Sequence, residues 1–463
     1  MGKLSARAGM RLATPFAYAC WLIIACLVFP CSGAHAQSAA LPASAPEINT
    51  GDTAWMLLST ALVLLMTPGL ALFYGGMVRS KNVLNILMQS FVAMGLVTLV
   101  WVLWGYSLAF APGGKFIGGL AYLGLNHVGA APSSYAPTIP HNVFMLYQMM
   151  FAIITPALIS GAIAERMKFS TYMVFMVLWS TIVYCPLAHW VWGKGGWLGS
   201  DGLGALDFAG GTVVHISSGM SALVLAILLG KRRAATRSHD EDIRPHNLPM
   251  TLIGTALLWF GWFGFNAGSA LASGGLASSA FLSTHVAAAT AGIAWIFLEW
   301  KASGKPTALG FATGAVAGLV AITPASGYVT AMSAILIGIS VSAISFFAIT
   351  LKHRFHYDDT LDVFGVHGVG GTWGAIATGL FASVLINKDG ANGLFNGGGI
   401  HLLSKQACAV STAILYAVVV TFVLAKVLDK VMGLRVNAED EDSGLDLTQH
   451  GEVGYASLEA EGP

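Results

Sequence analysis

Two histidines stand out in this sequence because each lies in a strongly apolar stretch. His215 follows DFAG (207–210), and His367 follows DVFG (362–365). An ionisable group inside an apolar helix is costly and is a candidate functional residue, and imidazole both donates and accepts a proton near neutral pH. A single buried histidine is more often an ordinary hydrogen-bonded core residue. The related settings of these two favour a shared site that binds or passes a small polar solute.

A metal site is the first alternative for these residues. Asp207 and Asp362 precede the histidines by several positions, the sequence has no HExxH motif, and Cys185 and Cys408 lie in apolar segments. These spacings do not match those of zinc or iron sites. We therefore expect no metal, no cofactor and no enzymatic activity. Both aspartates are expected to cap helix N-termini, a position in which Asp207 would also fix the mouth of a pore.

Aromatic side chains form a second candidate group. Trp192 ends an apolar segment, Phe151 closes YQMMF (147–151), and Ser269 closes GWFGFNAGS (261–269). The faces of Trp and Phe rings attract cations by about 0.5–2 kcal/mol, and more strongly where water is excluded. The alternative for a tryptophan at the end of an apolar segment is the aromatic belt of a membrane interface.

Composition defines the elements that must position these groups. Only 10% of the 463 residues are charged, 56% are hydrophobic, and the mean hydropathy is +0.70. A soluble domain has about 25% charged residues, so the sequence predicts an all-α polytopic membrane protein. The formal net charge is +1 and there is no basic block. Nucleic acid is therefore excluded as a partner.

The N-terminus has the pattern of a cleavable signal peptide, which we assign to residues 1–36. Lys3, Arg7 and Arg11 form its basic region, residues 17–29 its apolar region, and AHA (34–36) its cleavage site. A lipoprotein signal that uses Cys31 is the alternative, but the proline before that cysteine fits it poorly. Residues 37–53 would then be a short periplasmic segment.

Eleven apolar stretches long enough to cross a bilayer lie within residues 54–430. They begin near Ala54, Val83, His141, Thr171, Ala209, Leu248, Leu276, Ala308, Ser326, Phe364 and Lys405. Apart from the signal, only Lys115, Lys194, Lys388 and Lys405 fall on the side of the mature N-terminus, and every other Lys and Arg falls on the opposite side. The positive-inside rule then places the N-terminus in the periplasm and the C-terminus in the cytoplasm. The acidic tail, residues 431–463, is expected to be a solvated cytoplasmic extension.

The two histidine segments also predict a repeat. In this topology the fifth and tenth helices run in opposite directions, so a matched histidine in each suggests two inverted five-helix repeats with the site between them. The eleventh helix would be a peripheral addition.

Several long motifs resemble the ammonium transporter family (Amt/MEP/Rh), in its bacterial Amt branch. They run in order along the chain from about residue 50 to GLDLTQHGEVGY in the tail, and they are MTPGLALFYGGMVRSKNVLN (66–85), ISGAIAERMKFS (159–170), ALDFAGGTVVH (205–215), PHNLPM (245–250), GWFGFNAGSA (261–270), ITPASGYV (322–329) and DVFGVHGVGG (362–371). The resemblance implies eleven helices with inverted five-helix repeats, a homotrimer with one pore per subunit, and residence in the cell inner membrane.

The resemblance also implies roles for individual residues. Trp192, Phe151, Ser269 and Asp207 match the external ammonium-recruitment site; Phe151 and Phe265 match the stacked rings that close the pore; His215 and His367 match the histidine pair of the conduction path; and Trp262 and Thr323 match further pore or vestibule positions. Tyr147, Ser326 and Gly370 depart from residues common in the family, which affects only metal sensitivity and vestibule detail.

The expected function is therefore transmembrane transport of ammonium or ammonia. An ammonium ion sheds its proton on entering a dry pore, a step that potassium cannot copy. A cytoplasmic PII-type protein is the regulator that the family resemblance implies. The alternatives are an ammonium sensor, which a fused signalling domain would favour and the short tail argues against, and a neutral gas channel, against which Trp192, Phe151 and Ser269 argue.

Overall fold

The computed structural model describes residues 47–237 and 244–455. The expected signal peptide (1–36), most of the segment 37–53 and the last residues of the tail lie outside these ranges.

The described residues form a helical bundle whose long helices coincide, within a few residues at each start, with the eleven stretches predicted from the sequence. We number them α1 Thr50–Met77, α2 Ser80–Phe110, α3 His141–Ile163, α4 Phe169–Trp192, α5 Gly211–Leu229, α6 Leu248–Ala270, α7 Gly275–Ser303, α8 Ala308–Ile322, α9 Ala331–Phe355, α10 Phe364–Val369 continued by Gly370–Phe381, and α11 His401–Met432.

Nine of these helices, within the described ranges, are long and apolar enough to cross a membrane; α8 is apolar but shorter. The chain is thus a multi-pass membrane protein. The remaining elements are short. They are the helical turns Leu123–Leu125, Arg233–Arg237, Leu394–Asn396, Ala438–Ser443 and Asp446–His450, and an antiparallel pair of strands, β1 Pro132–Ser133 and β2 Ala136–Pro140.

Polar side chains at the helix starts explain several of these boundaries. Asn49 accepts a hydrogen bond from the Asp52 amide (2.9 Å) at the start of α1, and Asn247 accepts one from the Met250 amide (3.0 Å) at the start of α6. Thr307 does the same for α8. Each satisfies an amide that the helix itself leaves without a partner.

Three helices widen into a π-helical turn where the candidate residues lie. These turns are Gly211–Ile216 in α5, which carries His215; Phe263–Ala267 in α6, which carries Phe265; and Phe364–Val369 in α10, which carries His367. Such turns are frequent at functional sites because they displace one side chain from the regular helical register.

Helices α5 and α10 cross in backbone contact. A Cβ atom on Gly219 would lie 2.1 Å from the Gly368 nitrogen, and one on Gly371 would lie 2.8 Å from the His215 Cβ. Each glycine stands four residues after a histidine, on the same helix face. The two glycines therefore provide the close approach that brings the two imidazoles together.

A buried ionic cluster closes the end of the bundle at which the C-terminal tail lies, which we call the tail end. Glu165 binds Arg79 (2.8 Å), and Arg232 binds Asp358 (2.9 Å). Arg166 donates to the Asp358 carbonyl oxygen (2.5 Å). Burial acts to raise the pKa of Asp358, but the charge and hydrogen bonds of Arg232 outweigh it and hold that pKa well below its usual range.

The expectation of a solvated tail is wrong for residues 434–446. Arg435 donates to the carbonyl oxygens of Leu229 (2.8 Å) and Lys231 (2.7 Å), and the buried Glu441 accepts from the Arg233 amide (2.6 Å). Asp446 accepts from the amides of Leu84 and Asn85 in α2. Glu441 and Asp446 thus pair with groups on the helix ends, and the segment is docked.

The crossing of α5 and α10 gives a stability prediction. Gly219→Ala forces its new methyl against the Gly368 backbone, which cannot move aside as a flexible side chain does. We expect a loss of about 1–3 kcal/mol in folding stability, the usual cost of overpacking, measured by thermal unfolding in detergent micelles.

Gly95→Ala in α2 is the matched control, because a Cβ atom there meets nothing within 4 Å. Alanine is the better helix former, so this variant should be as stable as the parent or slightly more stable. Equal melting temperatures for the two variants would contradict the crossing geometry.

Candidate functional site

The two histidines meet at the centre of the site. Their Nδ1 atoms are 3.2 Å apart, and His215 and His367 are 1% and 4% exposed. A hydrogen bond between two Nδ1 atoms requires that one carries the hydrogen and the other does not. In two neutral rings, one Nε2 is then an acceptor and the other a donor. The Nε2 of His215 has no partner among the described residues.

Apolar side chains enclose this pair in what we call the histidine cavity. Its free volume is about 10 Å³, room for roughly one water-sized molecule. The two imidazoles line it together with Met66, Leu70, Phe73, Ile154, Leu158, Val214, Leu258, Trp262, Phe265 and Val316. The one other polar group in this lining, the indole N–H of Trp262, is donated to Thr323 Oγ1 (2.9 Å). The cavity is therefore narrow and largely apolar, and the two imidazoles are polar groups within it.

Two stacked phenylalanines separate the histidine cavity from a wider one. The rings of Phe151 and Phe265 lie with centroids 4.2 Å apart at 30°, and both side chains are buried. The Phe265 ring also lies 6.1 Å from the His215 ring, nearly parallel to it. A solute that passes from the wider cavity to the histidines must displace these rings.

The wider cavity, which we call the mouth cavity, has a volume of about 360 Å³. Phe151, Trp192, Ser269 and Asp207 all line it, so the structure brings together the residues that the sequence proposed for recruitment. The Trp192 ring stands edge-on to Phe151, with centroids 6.0 Å apart, and its N–H is donated to the Asp207 carbonyl oxygen (2.9 Å).

The hydroxyl of Ser269 is oriented by its neighbours. It donates to the Phe265 carbonyl oxygen (2.9 Å) and lies 3.2 Å from the hydroxyl of Tyr147. The Tyr147 hydroxyl donates in turn to α6 carbonyl oxygens. With its own hydrogen committed to Phe265, the Ser269 oxygen keeps acceptor capacity for a cation.

Asp207 holds the start of α5. Its carboxylate accepts from the amides of Gly210, Gly211 and Thr212 at 2.7 Å each and of Val213 at 3.3 Å. Burial raises the pKa of Asp207 although these four hydrogen bonds act against the rise. The expected capping geometry is thus present, and the side chain supports the mouth cavity through the backbone.

The expected cap of α10 by Asp362 is wrong. The Asp362 backbone takes a left-handed conformation (φ 58°), and its carboxylate contacts the Lys352 ammonium instead. Asp359 caps the helix, because its Oδ2 accepts from the Phe364 amide (2.7 Å). Asp359 precedes His367 by eight residues, the spacing from Asp207 to His215, so the matched aspartates are Asp207 and Asp359.

Sequence reasoning missed one residue of α3. Gln148 lines the mouth cavity and is largely buried, and its Oε1 has no partner among the described residues. Its position three residues before Phe151 was the available signal, because that spacing places both side chains on one helix face. Asn387, Asp389 and Tyr328 also line the cavity, but they come from distant segments without a local motif.

Comparison with known proteins identifies this arrangement. The Ammonium Transporter Family model matches residues 54–455. The chain belongs to the ammonium transporter family. An ammonium transporter of Bacillus subtilis is 56% identical over 406 residues, covering 88% of this chain and 98% of that protein. The structure of Saccharomyces cerevisiae Mep2 matches with a TM-score of 0.81 at 37% identity, covering 90% of this chain and 94% of the other. A structure described as a sensor Amt protein matches with a TM-score of 0.78 at 31% identity, covering 86% and 98%.

The cap of α10 in this transporter-family chain gives a prediction for pH. Burial, and then the neighbouring Asp362, raise the pKa of Asp359 from 3.8 to about 6, against the effect of Lys352 and the Phe364 amide. The stabilisation from protonated Asp359 is complete below pH 3.8 and is lost as the pH rises through 6. Asp359→Asn keeps an acceptor for Phe364 without a charge, so at pH 7 it should be more stable than the parent by about 1–3 kcal/mol, measured by thermal unfolding between pH 4 and 8.

Asp358→Asn is the control with the opposite sign. The pKa of Asp358 is lowered, so its ion pair with Arg232 stabilises the fold above pH 3.8 and is lost at lower pH. Asp358→Asn should be less stable than the parent at pH 7, and the difference in stability between them should shrink as the pH falls. The assignment of the cap would be wrong if both variants changed stability in the same direction at pH 7.

Proposed function

We propose that this chain transports ammonium across the membrane by recruiting the cation in the mouth cavity, removing its proton, and passing ammonia and the proton separately along the histidine pair. The observation that carries the proposal is the buried Nδ1–Nδ1 contact of His215 and His367 in a narrow, largely apolar cavity behind two stacked phenylalanines.

Recruitment rests on groups that suit a small cation. The faces of Trp192 and Phe151 attract positive charge, and the Ser269 oxygen accepts a hydrogen bond from it. Asp207 contributes by holding the first amides of α5 and, through its carbonyl oxygen, the Trp192 indole. Potassium and ammonium carry the same charge, so these contacts alone discriminate weakly between them.

Deprotonation follows from burial. The charged form of an amine is disfavoured in an environment of low dielectric constant, and its pKa falls by up to about 5 units in documented buried lysines. An ammonium ion that passes Phe151 and Phe265 therefore becomes ammonia at modest cost. An imidazole Nε2 takes up the proton, the Nδ1–Nδ1 hydrogen bond passes a proton to the second ring, and that ring releases one from its own Nε2, so charge crosses separately from ammonia. A potassium ion has no proton to lose and meets the whole desolvation penalty.

The histidine pair then serves a neutral solute. One Nε2 accepts a hydrogen bond and the other donates one, so the pair matches ammonia, which also does both. An imidazolium would repel the cation that waits in the mouth cavity, and its burial without a counter-charge is costly. We propose that both rings rest in the neutral state. Trp262, held by Thr323, packs beside His215 and keeps that ring in place.

Removing one imidazole should weaken selectivity. In His215→Ala the missing ring enlarges the cavity and admits water, which lowers the penalty for potassium. We expect the ratio of ammonium to potassium current to fall by about tenfold, which corresponds to a change of about 1.4 kcal/mol in relative barrier height. We expect the same fall in this ratio for His367→Ala. Currents in liposomes after jumps in ammonium or potassium concentration measure this ratio.

His401→Ala is the matched control, because His401 is exposed at the start of α11 and away from both cavities. It should keep the parent ratio. Unchanged ammonium and potassium currents in His215→Ala would remove the central role assigned to the pair.

The full topology is part of the same proposal. We infer eleven membrane crossings within residues 54–430, arranged as two inverted five-helix repeats with a peripheral α11. The equal spacing of Asp207 from His215 and of Asp359 from His367, each followed by a glycine at the helix crossing, supports the repeat. The basic residues of the tail end support an inner-membrane orientation with a cytoplasmic tail and a periplasmic N-terminus.

A homotrimer is the assembly we propose. His285 is exposed on α7, about ten residues into a helix that spans the bilayer, and it borders a groove of about 600 Å³ lined also by Trp55 and Phe281. An ionisable side chain at that depth is costly against lipid. A neighbouring subunit that covers this groove removes the cost.

A PII-type regulator is the cytoplasmic partner we propose, with the basic tail end as its docking surface. A purified PII-type protein should bind to the purified transporter, and the amount bound should change when ATP and 2-oxoglutarate are added. It should reduce ammonium currents in oriented liposomes only from the side that bears the tail. Inhibition from the opposite side alone would contradict this partner.

A sensor role is the second candidate function, and the likeness to a structure described as a sensor Amt protein favours it. The two roles differ in flux. A transporter sustains ammonium currents through wild-type protein, whereas a sensor binds ammonium at the mouth cavity with little current.

A further inference from the structure

One face of α3 lines the mouth cavity with a polar residue between two aromatic ones. Phe144, Gln148 and Phe151 recur at intervals of four and three residues, and all three border the cavity. Phenylalanines attract a cation through their ring faces, but they offer no oxygen. The amide of Gln148 is the polar group that α3 places beside the recruitment residues.

The Gln148 side chain is buried, and its carbonyl oxygen lacks a hydrogen-bond donor within the described part of the chain. It is 9% exposed, and its Oε1 has no hydrogen-bond partner among the described residues. A buried carbonyl oxygen left without a donor costs about 1–3 kcal/mol. The residue lines the mouth cavity, but Oε1 itself has almost no accessible surface there. Rotation about the last side-chain torsion exchanges the positions of Oε1 and Nε2 and brings the oxygen to the cavity, where a donor can reach it.

The other buried polar side chains in this lining are already committed, as far as the described ranges show. Both oxygens of Asp207 accept from backbone amides, and Asn387 Oδ1 accepts from the Asp389 amide (3.0 Å). Gln148 is thus the buried lining residue whose oxygen remains for a ligand. Rotation about the last torsion of a glutamine side chain is broad and low in cost, so the oxygen can turn to meet the ligand.

We propose that Gln148 is a further ligand of the recruited cation, accepting a hydrogen bond from ammonium through its side-chain carbonyl oxygen. Ammonium has four N–H donors and no acceptor, and Ser269 supplies one oxygen to it. Gln148 supplies a second from α3, so the cation is held between α3 and α6 while the rings of Phe151 and Trp192 face its charge. This inference rests on the proposed recruitment in the mouth cavity.

The chemistry also fixes what Gln148 does not do. An amide oxygen coordinates potassium as readily as it accepts from ammonium, and it lies before the phenylalanine pair. Gln148 therefore raises the affinity for the cation without contributing to selectivity, which depends on the loss of the proton further in. This separates its effect from that of the histidines.

The test compares apparent KM and maximal current for ammonium in liposomes. Gln148→Leu and Gln148→Met remove the oxygen and keep the side chain's bulk, whereas Gln148→Glu keeps an acceptor. We expect both apolar variants to raise KM by about tenfold, which corresponds to about 1.4 kcal/mol, with unchanged maximal current and unchanged ammonium-to-potassium ratio. Gln148→Glu should have a KM at or below that of the parent.

Gln89→Leu is the matched control. Gln89 in α2 is also a buried glutamine with an unpartnered Oε1, but it does not line the mouth cavity. Its KM should equal that of the parent, and a thermal melt of each variant reports whether the fold is kept.

The outcomes separate this inference from the function on which it rests. Absence of ammonium current in the parent protein, or an unchanged KM in Ser269→Ala, would overturn the proposed recruitment. Two results would overturn the Gln148 inference alone. The first is a raised KM in Ser269→Ala together with a parent-like KM in folded Gln148→Leu and Gln148→Met. The second is a KM in Gln148→Glu that rises as much as the KM of those two apolar variants.

Discussion

The hydrogen bond between the Nδ1 atoms of His215 and His367 is the constraint on which the rest of the site depends. It requires two helices to approach until their backbones touch, which Gly219 and Gly371 allow by lacking a side chain. It also requires one ring to be without a hydrogen on Nδ1, so the two rings cannot both be imidazolium. A hydrogen-bonded pair in which at least one ring is neutral is thereby built into the packing of α5 and α10, before any solute arrives.

The direction in which each imidazole points is set eight residues earlier. Asp207 and Asp359 hold the first amides of α5 and α10, and in both helices a π-helical turn that contains the histidine follows. Because the carboxylates bond to backbone instead of solute, they fix the helices without bringing a free charge into the cavities. A cluster of buried ionised groups lies at the tail end, where Arg232, Glu165 and Asp358 neutralise one another.

Much of this arrangement was predictable from the sequence, and the failures have physical reasons. Helix positions followed from apolar length, and the histidine pair followed from two costly side chains in related settings. Asp362 was mistaken for a cap because DVFG resembles DFAG, whereas its left-handed backbone turns the carboxylate towards Lys352. The docked tail was missed because its acidic composition is typical of solvated segments, and its partners, such as Arg233 and the α2 amides, lie hundreds of residues away.

The geometry divides affinity from selectivity along the path. The mouth cavity is roomy and bears oxygens and ring faces that treat ammonium and potassium alike. The histidine cavity offers a solute about 10 Å³ of free volume, lined by apolar side chains and the two imidazoles. The proposed mechanism therefore places discrimination at the Phe151–Phe265 pair, which separates the two cavities. On the proposed mechanism, ammonium continues by transferring its proton to an imidazole, at the cost of a shifted acid–base equilibrium. An alkali ion must instead carry its charge into an apolar cavity that solvates it poorly.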